Sequence, residues 1–212
     1  MPVAASAEQL AVTRSGHRRV TGCCVHPHTP IIAMNQLRMH NASRTARRTS
    51  VMLPSEINID QVKEFVDQCG PGTQLYVGCD SERLIHQGRW YADYILAVVV
   101  HINGNRGCKI FGSLDREADY DQRSSRPRMR LMNEVYRVGN LYLQLTAAMP
   151  HRHIEVHLDI NPDERHGSNC VIQQAIGYIR GTCNVIPFVK PQAFAASVAA
   201  DRLKEIRSRW AA

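Results

Sequence analysis

The chain has 212 residues, 44% apolar and 21% charged, with 26 Lys and Arg against 19 Asp and Glu for a formal net charge of +7. That composition supports a real core in one domain plus an extension, and it excludes wholly disordered, collagen-like and mucin-like chains. The longest apolar run, Ile95–Val100, falls far short of the ~20 residues a membrane helix needs. Seven cysteines without a repeating spacing point to a reducing, cytoplasmic setting and away from a disulfide scaffold.

Residues 1–51 hold Arg14, Arg18, Arg19, Arg38, Arg44, Arg47 and Arg48 against Glu8 alone, and so carry +6 of the +7. They show no sustained helical or strand period and read as a basic, disordered leader. Three uses compete: a grip on phosphate backbones, an organellar transit peptide, or no role, with translation starting at Met34, Met39 or Met52. Cys23, Cys24, His26 and His28 cluster here, but adjacent cysteines before H-x-H do not match the spacing of structural zinc sites. Residues 52–212 are expected to form the folded domain.

Asn58 with Gln61 three residues later reads as a capping box for a short helix buried through Val62, Phe65 and Val66. Gly70-Pro71-Gly72 ends it. Strand-like runs follow at Gln74–Cys79, Trp90–Ile102 and Cys108–Gly112, and their short Gly-bearing connections predict two antiparallel hairpins. Residues 115–127 read as a polar loop. Arg128–Met149 is a long helix, with Leu131, Val135, Val138, Leu141, Tyr142 and Leu145 at three- and four-residue steps. Ile154–Ile160 alternates, with Ile154, Val156, Leu158 and Ile160 on one side and Glu155, His157 and Asp159 on the other. Ser168 is expected to cap a helix to about Ile179, Asn184–Val189 to form a strand, and Pro191 to lead into a last helix ending near Trp210. The prediction is a mixed five-stranded sheet, three antiparallel strands then two parallel, flanked by helices, with a crevice at the strand ends.

Four acids stand where an apolar residue is expected. Asp80 ends the first strand and Asp159 the alternating one, and these strands are expected to be neighbours. Glu134 interrupts the stripe Leu131, Val138, Leu141, Leu145, and Asp201 follows Phe194 and Val198 on the last helix. Buried carboxylates cost several kcal/mol unless paired or neutralised by metal. Two Mg²⁺ or Mn²⁺ ions would remove their repulsion and suit in-line phosphodiester cleavage. Each acid also has an ordinary reading: Asp80 as a turn residue, Asp159 as a structural residue before a polar loop, Glu134 as a solvated helix edge, and Asp201 as a surface partner of Arg202, Lys204 or Arg207.

The stretches Val77-Gly78-Cys79-Asp80-Ser81, His157-Leu158-Asp159-Ile160, Gly167-Ser168-Asn169, Gly177-Tyr178-Ile179-Arg180-Gly181 and Lys190 through Ser197 into Ala200-Asp201-Arg202 resemble the YkuK-type family of RNase H-like nucleases of bacteria and phages, over residues 73–205. The resemblance implies an RNase H-like fold, a divalent-metal-dependent nuclease, nucleic acid as partner, and the cytoplasm of a bacterial or phage-infected cell. By the superfamily pattern Asp80, Glu134, Asp159 and Asp201 are the catalytic metal ligands, with Glu117 or Asp119 as substitutes for Glu134. Glu82 makes an exonuclease-like Asp80-Ser81-Glu82, but Ser197 stands where such enzymes carry His or Tyr.

Ser81, His166, Lys190 and Arg128 are the candidate substrate contacts. His166 would orient water or release product, Lys190 would hold a phosphate, and Arg128, with Arg123, Arg126 and Arg130, would track a backbone. Exposed, solvated roles for His166 and Lys190 remain open. Only 6% of residues are aromatic, which argues against a stacking platform for single strands. The alternative to a nuclease is an RNase H-fold module that binds nucleic acid or a partner with weak or no catalysis. An actin-like phosphotransferase would need a duplicated domain and Gly-rich phosphate loops, which this sequence lacks.

Overall fold

Four strands form the sheet in the computed structural model, which describes residues 53–104, 106–121 and 127–211, the backbone alone at 199 and 206–211. The leader, Arg123 and Arg126 lie outside the described residues. Strands β1 (Gln74–His86), β2 (Arg89–His101) and β3 (Cys108–Ala118) are antiparallel, and β4 (Ile154–Leu158) lies parallel to β1, in the order β3-β2-β1-β4. Helices α1 (Ile59–Asp67), α2 (Arg128–Ala148), α3 (Ile172–Cys183) and α4 (Ala200–Ala211) complete the chain.

Local chemistry explains the boundaries. Asn58 accepts a hydrogen bond from the Gln61 amide and starts α1, as its spacing predicts. His86 pairs with Arg89 across Gln87-Gly88, both at positive φ (50° and 76°). That two-residue turn matches the twist of long antiparallel strands, so β1 runs seven residues past the predicted Cys79. The expected polar loop at 115–127 begins later, because β3 stays paired to Ala118. Ser168 does not cap α3. It lies in a short 3₁₀ turn, Gly167–Val171, where its hydroxyl accepts from the Asn161 amide.

The fifth strand expected over 184–189 is absent. Phe188 alone bridges to β4, donating to Val156 O at 2.8 Å and accepting from Leu158 N at 2.9 Å. Asn184 closes α3 in the left-handed region at φ 56°, and Pro187 has no amide to give a ladder. Only Phe188, directly after Pro187, makes a bridge to β4.

The sheet is covered on both faces. Leu75, Val77 and Cys79 of β1 join Val98, Val135, Val138, Leu145 and Ile179 beneath α1, α2 and α3. Tyr76, Ile95, Ala97 and Val99 pack on the other face against Ala195, Ala200 and Leu203. Each fully buried Val, Ile or Leu contributes roughly 1.5–3 kcal/mol relative to exposure. Gly78 lets that second layer approach: a Cβ there would stand 2.5 Å from the Ala196 amide nitrogen.

Candidate active site

The parallel register of β1 and β4 runs from Leu75 opposite Ile154 to Cys79 opposite Leu158. The next residue on each is an acid. Asp159 directly follows the end of β4, whereas Asp80 lies within β1 and not at its expected end, because pairing with β2 carries β1 on to His86. The two carboxylates thus sit on neighbouring strands. Their side chains are 17% and 16% exposed, inside the crevice but reachable from solvent. Cys79, one residue out of phase, is in the core as expected.

Glu134 approaches from α2. The helix start is anchored by Asp121, whose carboxylate accepts from the Met129 and Arg130 amides at 3.0 and 2.9 Å, satisfying donors a helix start otherwise leaves open. About one turn on, Glu134 is 4% exposed and accepts a short hydrogen bond from the Ser81 hydroxyl. Arg130 Nη1 in turn donates to Ser81 O and Oγ at 2.9 and 2.7 Å. The substitutes considered for Glu134 are engaged elsewhere: Glu117 with Arg137, and Asp119 with Arg83, both at 2.5 Å.

Three of the four acids share an electrostatic environment. Burial drives Glu134 well above the usual carboxylate range, and the charges of Asp80 and Asp159 push the same way against Ser81 and Arg130. Asp80 is raised as well. Burial outweighs its bond to Lys204, and the Asp159 charge adds to burial. Adjacent Cys79 has its thiol pushed far up by burial and then by Glu134 and Asp80.

Asp201 departs from the expectation of burial. Its side chain is 65% exposed. The reason is the π-helical turn Ala195–Ala199 that precedes α4. The wider turn shifts the phase of the helix, so the buried stripe becomes Ala196, Ala200 and Leu203 while Val198 and Asp201 face outward. Asp201 still borders the site through Lys204, whose Nζ stands 3.4 Å from Asp201 Oδ1 and 2.5 Å from Asp80 Oδ2. Burial lowers the Lys204 ammonium, but the two aspartates overcome this and its pKa is raised. Lys190, an expected phosphate contact, instead lies 2.8 Å from Asp159 Oδ1.

The remaining expected contacts divide. Ser81 belongs to the Glu134 pocket. Arg128 reaches the Cys170 carbonyl at 3.2 Å and is otherwise outward. His166 is exposed in the loop before the 3₁₀ turn. Several acids and bases in the interior gave no signal in the sequence. Asp93, fully buried in β2, receives Arg116 Nε and Nη2 at 2.5 and 2.9 Å, a cross-strand register pair. His157 is buried between Tyr76, Phe188 and Phe194. Its Nδ1 accepts from the Ala195 amide at 3.1 Å, and this bond holds the π turn to the sheet. The alternation along β4 grouped His157 with Glu155 and Asp159 on the polar side, but the layer of Tyr76, Phe188 and Phe194 buries it.

An all-carboxylate set suits a hard divalent cation. Asp159 Oδ1, a buried oxygen, meets the Lys190 ammonium at 2.8 Å, a cation standing where a metal would be needed. In this arrangement Lys190 and Lys204 supply the positive charge. Among the described residues no group of three or more His, Cys, Asp or Glu side chains is gathered tightly enough to hold an ion. No described helix is long and apolar enough to cross a membrane.

A family model described as Ribonuclease H-like matches residues 58–205, enclosing the stretches that carry the YkuK-type resemblance. No curated protein and no solved structure matches the chain.

Proposed function

Because the chain belongs to the ribonuclease H-like family, we propose that it is a divalent-metal-dependent phosphodiester hydrolase acting on RNA, DNA or an RNA/DNA hybrid. The observation that carries this reading is the convergence of Asp80, Glu134 and Asp159 from β1, α2 and the end of β4 in a half-buried crevice. There burial and the Asp159 charge raise the proton affinity of Asp80, and burial with the Asp80 and Asp159 charges raises that of Glu134. Asp80, Glu134 and Asp159, with Asp201 at the rim, would hold Mg²⁺ or Mn²⁺, two ions in the superfamily pattern. When bound, such ions activate water and stabilise the leaving oxygen.

The chain's own groups have defined work. Ser81 and Arg130 orient Glu134, keeping its carboxylate aimed into the crevice. Lys190 and Lys204 neutralise Asp159 and Asp80 in the metal-free protein, and once released their ammonium groups are placed to meet a phosphate as point charges. The same ion pairs favour a second reading, a nucleic-acid-binding module with weak or no catalysis, in which the lysines keep the carboxylates permanently neutralised.

Cleavage of single-stranded, duplex, hybrid and branched substrates with Mg²⁺ or Mn²⁺ separates the two. Metal-dependent cleavage lost in Asp80→Asn and Asp159→Asn supports the hydrolase. Absence of cleavage, or equal cleavage by both variants, refutes it.

A further inference from the structure

The β1–β2 hairpin continues well beyond the carboxylates, and its outer end exposes large apolar side chains. Ile85 and Trp90 form a register pair across the hairpin and are 59% and 46% exposed. Arg83 lies two residues before Ile85 on the same face, with its guanidinium 4.0 Å over the indole centroid. That arginine is itself fixed: Nε is 2.5 Å from the buried Asp119 carboxylate, and Nη2 donates to Asp121 O at 2.8 Å. One ring face therefore rests on an immobilised cation, which holds the indole in a set orientation at the surface. An exposed Ile–Trp pair on a hairpin invites association, so a rigid backing for it implies a contact to be made there.

The position of this end says with what. Alternation places Ser81, Arg83 and Ile85 on one strand face, the face on which Ser81 meets Glu134 and Arg130. A line of groups thus leads outward from the acid crevice through Arg130 and Arg83 to Trp90, with Arg89 beside it at the turn. The basic groups complement phosphates, and the indole complements a base. Five residues separate Asp80 from Ile85, about 16 Å of strand, a span of a few nucleotides. Against the scarcity of aromatics in the whole chain, this end exposes Trp90, and Tyr120 follows just beyond the end of β3, also exposed.

We propose that Trp90, backed by Arg83 and flanked by Ile85 and Arg89, is a stacking platform for unpaired nucleotides of the strand whose phosphodiester reaches Asp80. The proposal rests on nucleic acid being the substrate, though not on cleavage.

The test uses the full chain in EDTA, in a Trp210→Phe background that leaves Trp90 as the sole tryptophan. Twenty-residue oligo-dT and oligo-U and a 20-base-pair duplex are titrated against its emission. Single strands are expected to quench Trp90 more strongly than duplex. Trp90→Ala should weaken single-strand affinity roughly 5- to 150-fold without changing its salt dependence, since no phosphate contact is lost. Trp90→Phe should restore most of the affinity. Equal affinity of Trp90→Ala and its parent, or equal quenching by duplex, overturns the platform. So does a dimer that Trp90→Ala dissociates without change in affinity, which assigns the patch to a second copy. Binding without cleavage in Mg²⁺ refutes the hydrolase and leaves the platform standing, whereas a parent protein that binds no nucleic acid refutes both.

Discussion

Lys204 Nζ lies 2.5 Å from Asp80 Oδ2 although 124 residues separate the two in the chain. The ammonium occupies the place where a cation is needed, opposite an acid whose proton affinity burial and the neighbouring Asp159 charge raise. Lys204→Met should therefore destabilise the metal-free protein by about 1–3 kcal/mol, lowering Tm by about 2–12 °C at 2–4 °C per kcal/mol. Mg²⁺ should restore more of that loss in the variant than it adds to the wild type. Thermal melts with and without Mg²⁺ check this, and an equal Mg²⁺ response in both proteins contradicts it.

Glu134 and Asp80 both have raised proton affinity in the folded protein. A carboxyl of this kind holds its proton in the native state at pH values where the unfolded chain, near the ordinary ~4.3, has lost it. Its contribution is complete below that pH and is lost as pH rises through the raised native value. Stability should thus fall from about pH 4.5 toward neutrality. Glu134→Gln should flatten that fall, raising Tm by about 2–8 °C at pH 7.5, for roughly 1–2 kcal/mol, with no gain at pH 4. Melts across pH 4–8 read the difference directly, and a gain independent of pH would show that ionisation of Glu134 is not its source.

Gly78 admits the π turn against the sheet. In Gly78→Ala the new Cβ would meet the Ala196 backbone at 2.5 Å, and backbone cannot rotate away as a side chain can. The expected loss is about 1–3 kcal/mol or more, with α4 and Lys204 displaced from Asp80. Amide exchange should show weakened protection first at Ala195 and Ala196, while α2 keeps its own. Unchanged protection there would contradict the clash.

Asp121 serves the helix that carries Glu134. Asp121→Ala removes the acceptor of two amides at the α2 start and should cost about 0.5–2 kcal/mol, or about 1–8 °C in Tm. Asp121→Asn should recover most of it, because the amide oxygen still accepts. Equal melting of both variants would place the effect elsewhere.

Much of this arrangement was legible before folding. The Asn58 cap, the two hairpins and the long helix from Arg128 rest on local propensity and period, which act over a few residues. But β1 overruns its expected end at Asp80, because its pairing with β2 continues to His86. The fifth strand misled because Val185, Ile186 and Val189 have strand character, yet Pro187 and the left-handed Asn184 leave one pairing. Asp201 misled because counting at 3.6 residues per turn cannot anticipate a π turn. The choice between Glu134 and Glu117 or Asp119 needed the positions of Arg137 and Arg83, which come from other strands and helices.

The sequence by itself determined the helices, the three antiparallel strands and β4, and it singled out Asp80, Glu134 and Asp159 as out of place, since hydrophobic period, caps and turn residues are properties of neighbouring positions. Tertiary structure alone decided which acids share a crevice and which cations balance them. It set Glu134 beside Asp80, turned Asp201 outward, and brought Lys204 and Lys190 onto Asp80 and Asp159. Electrostatic balance depends on distances across the fold, and those are set by how the two faces of the sheet are packed.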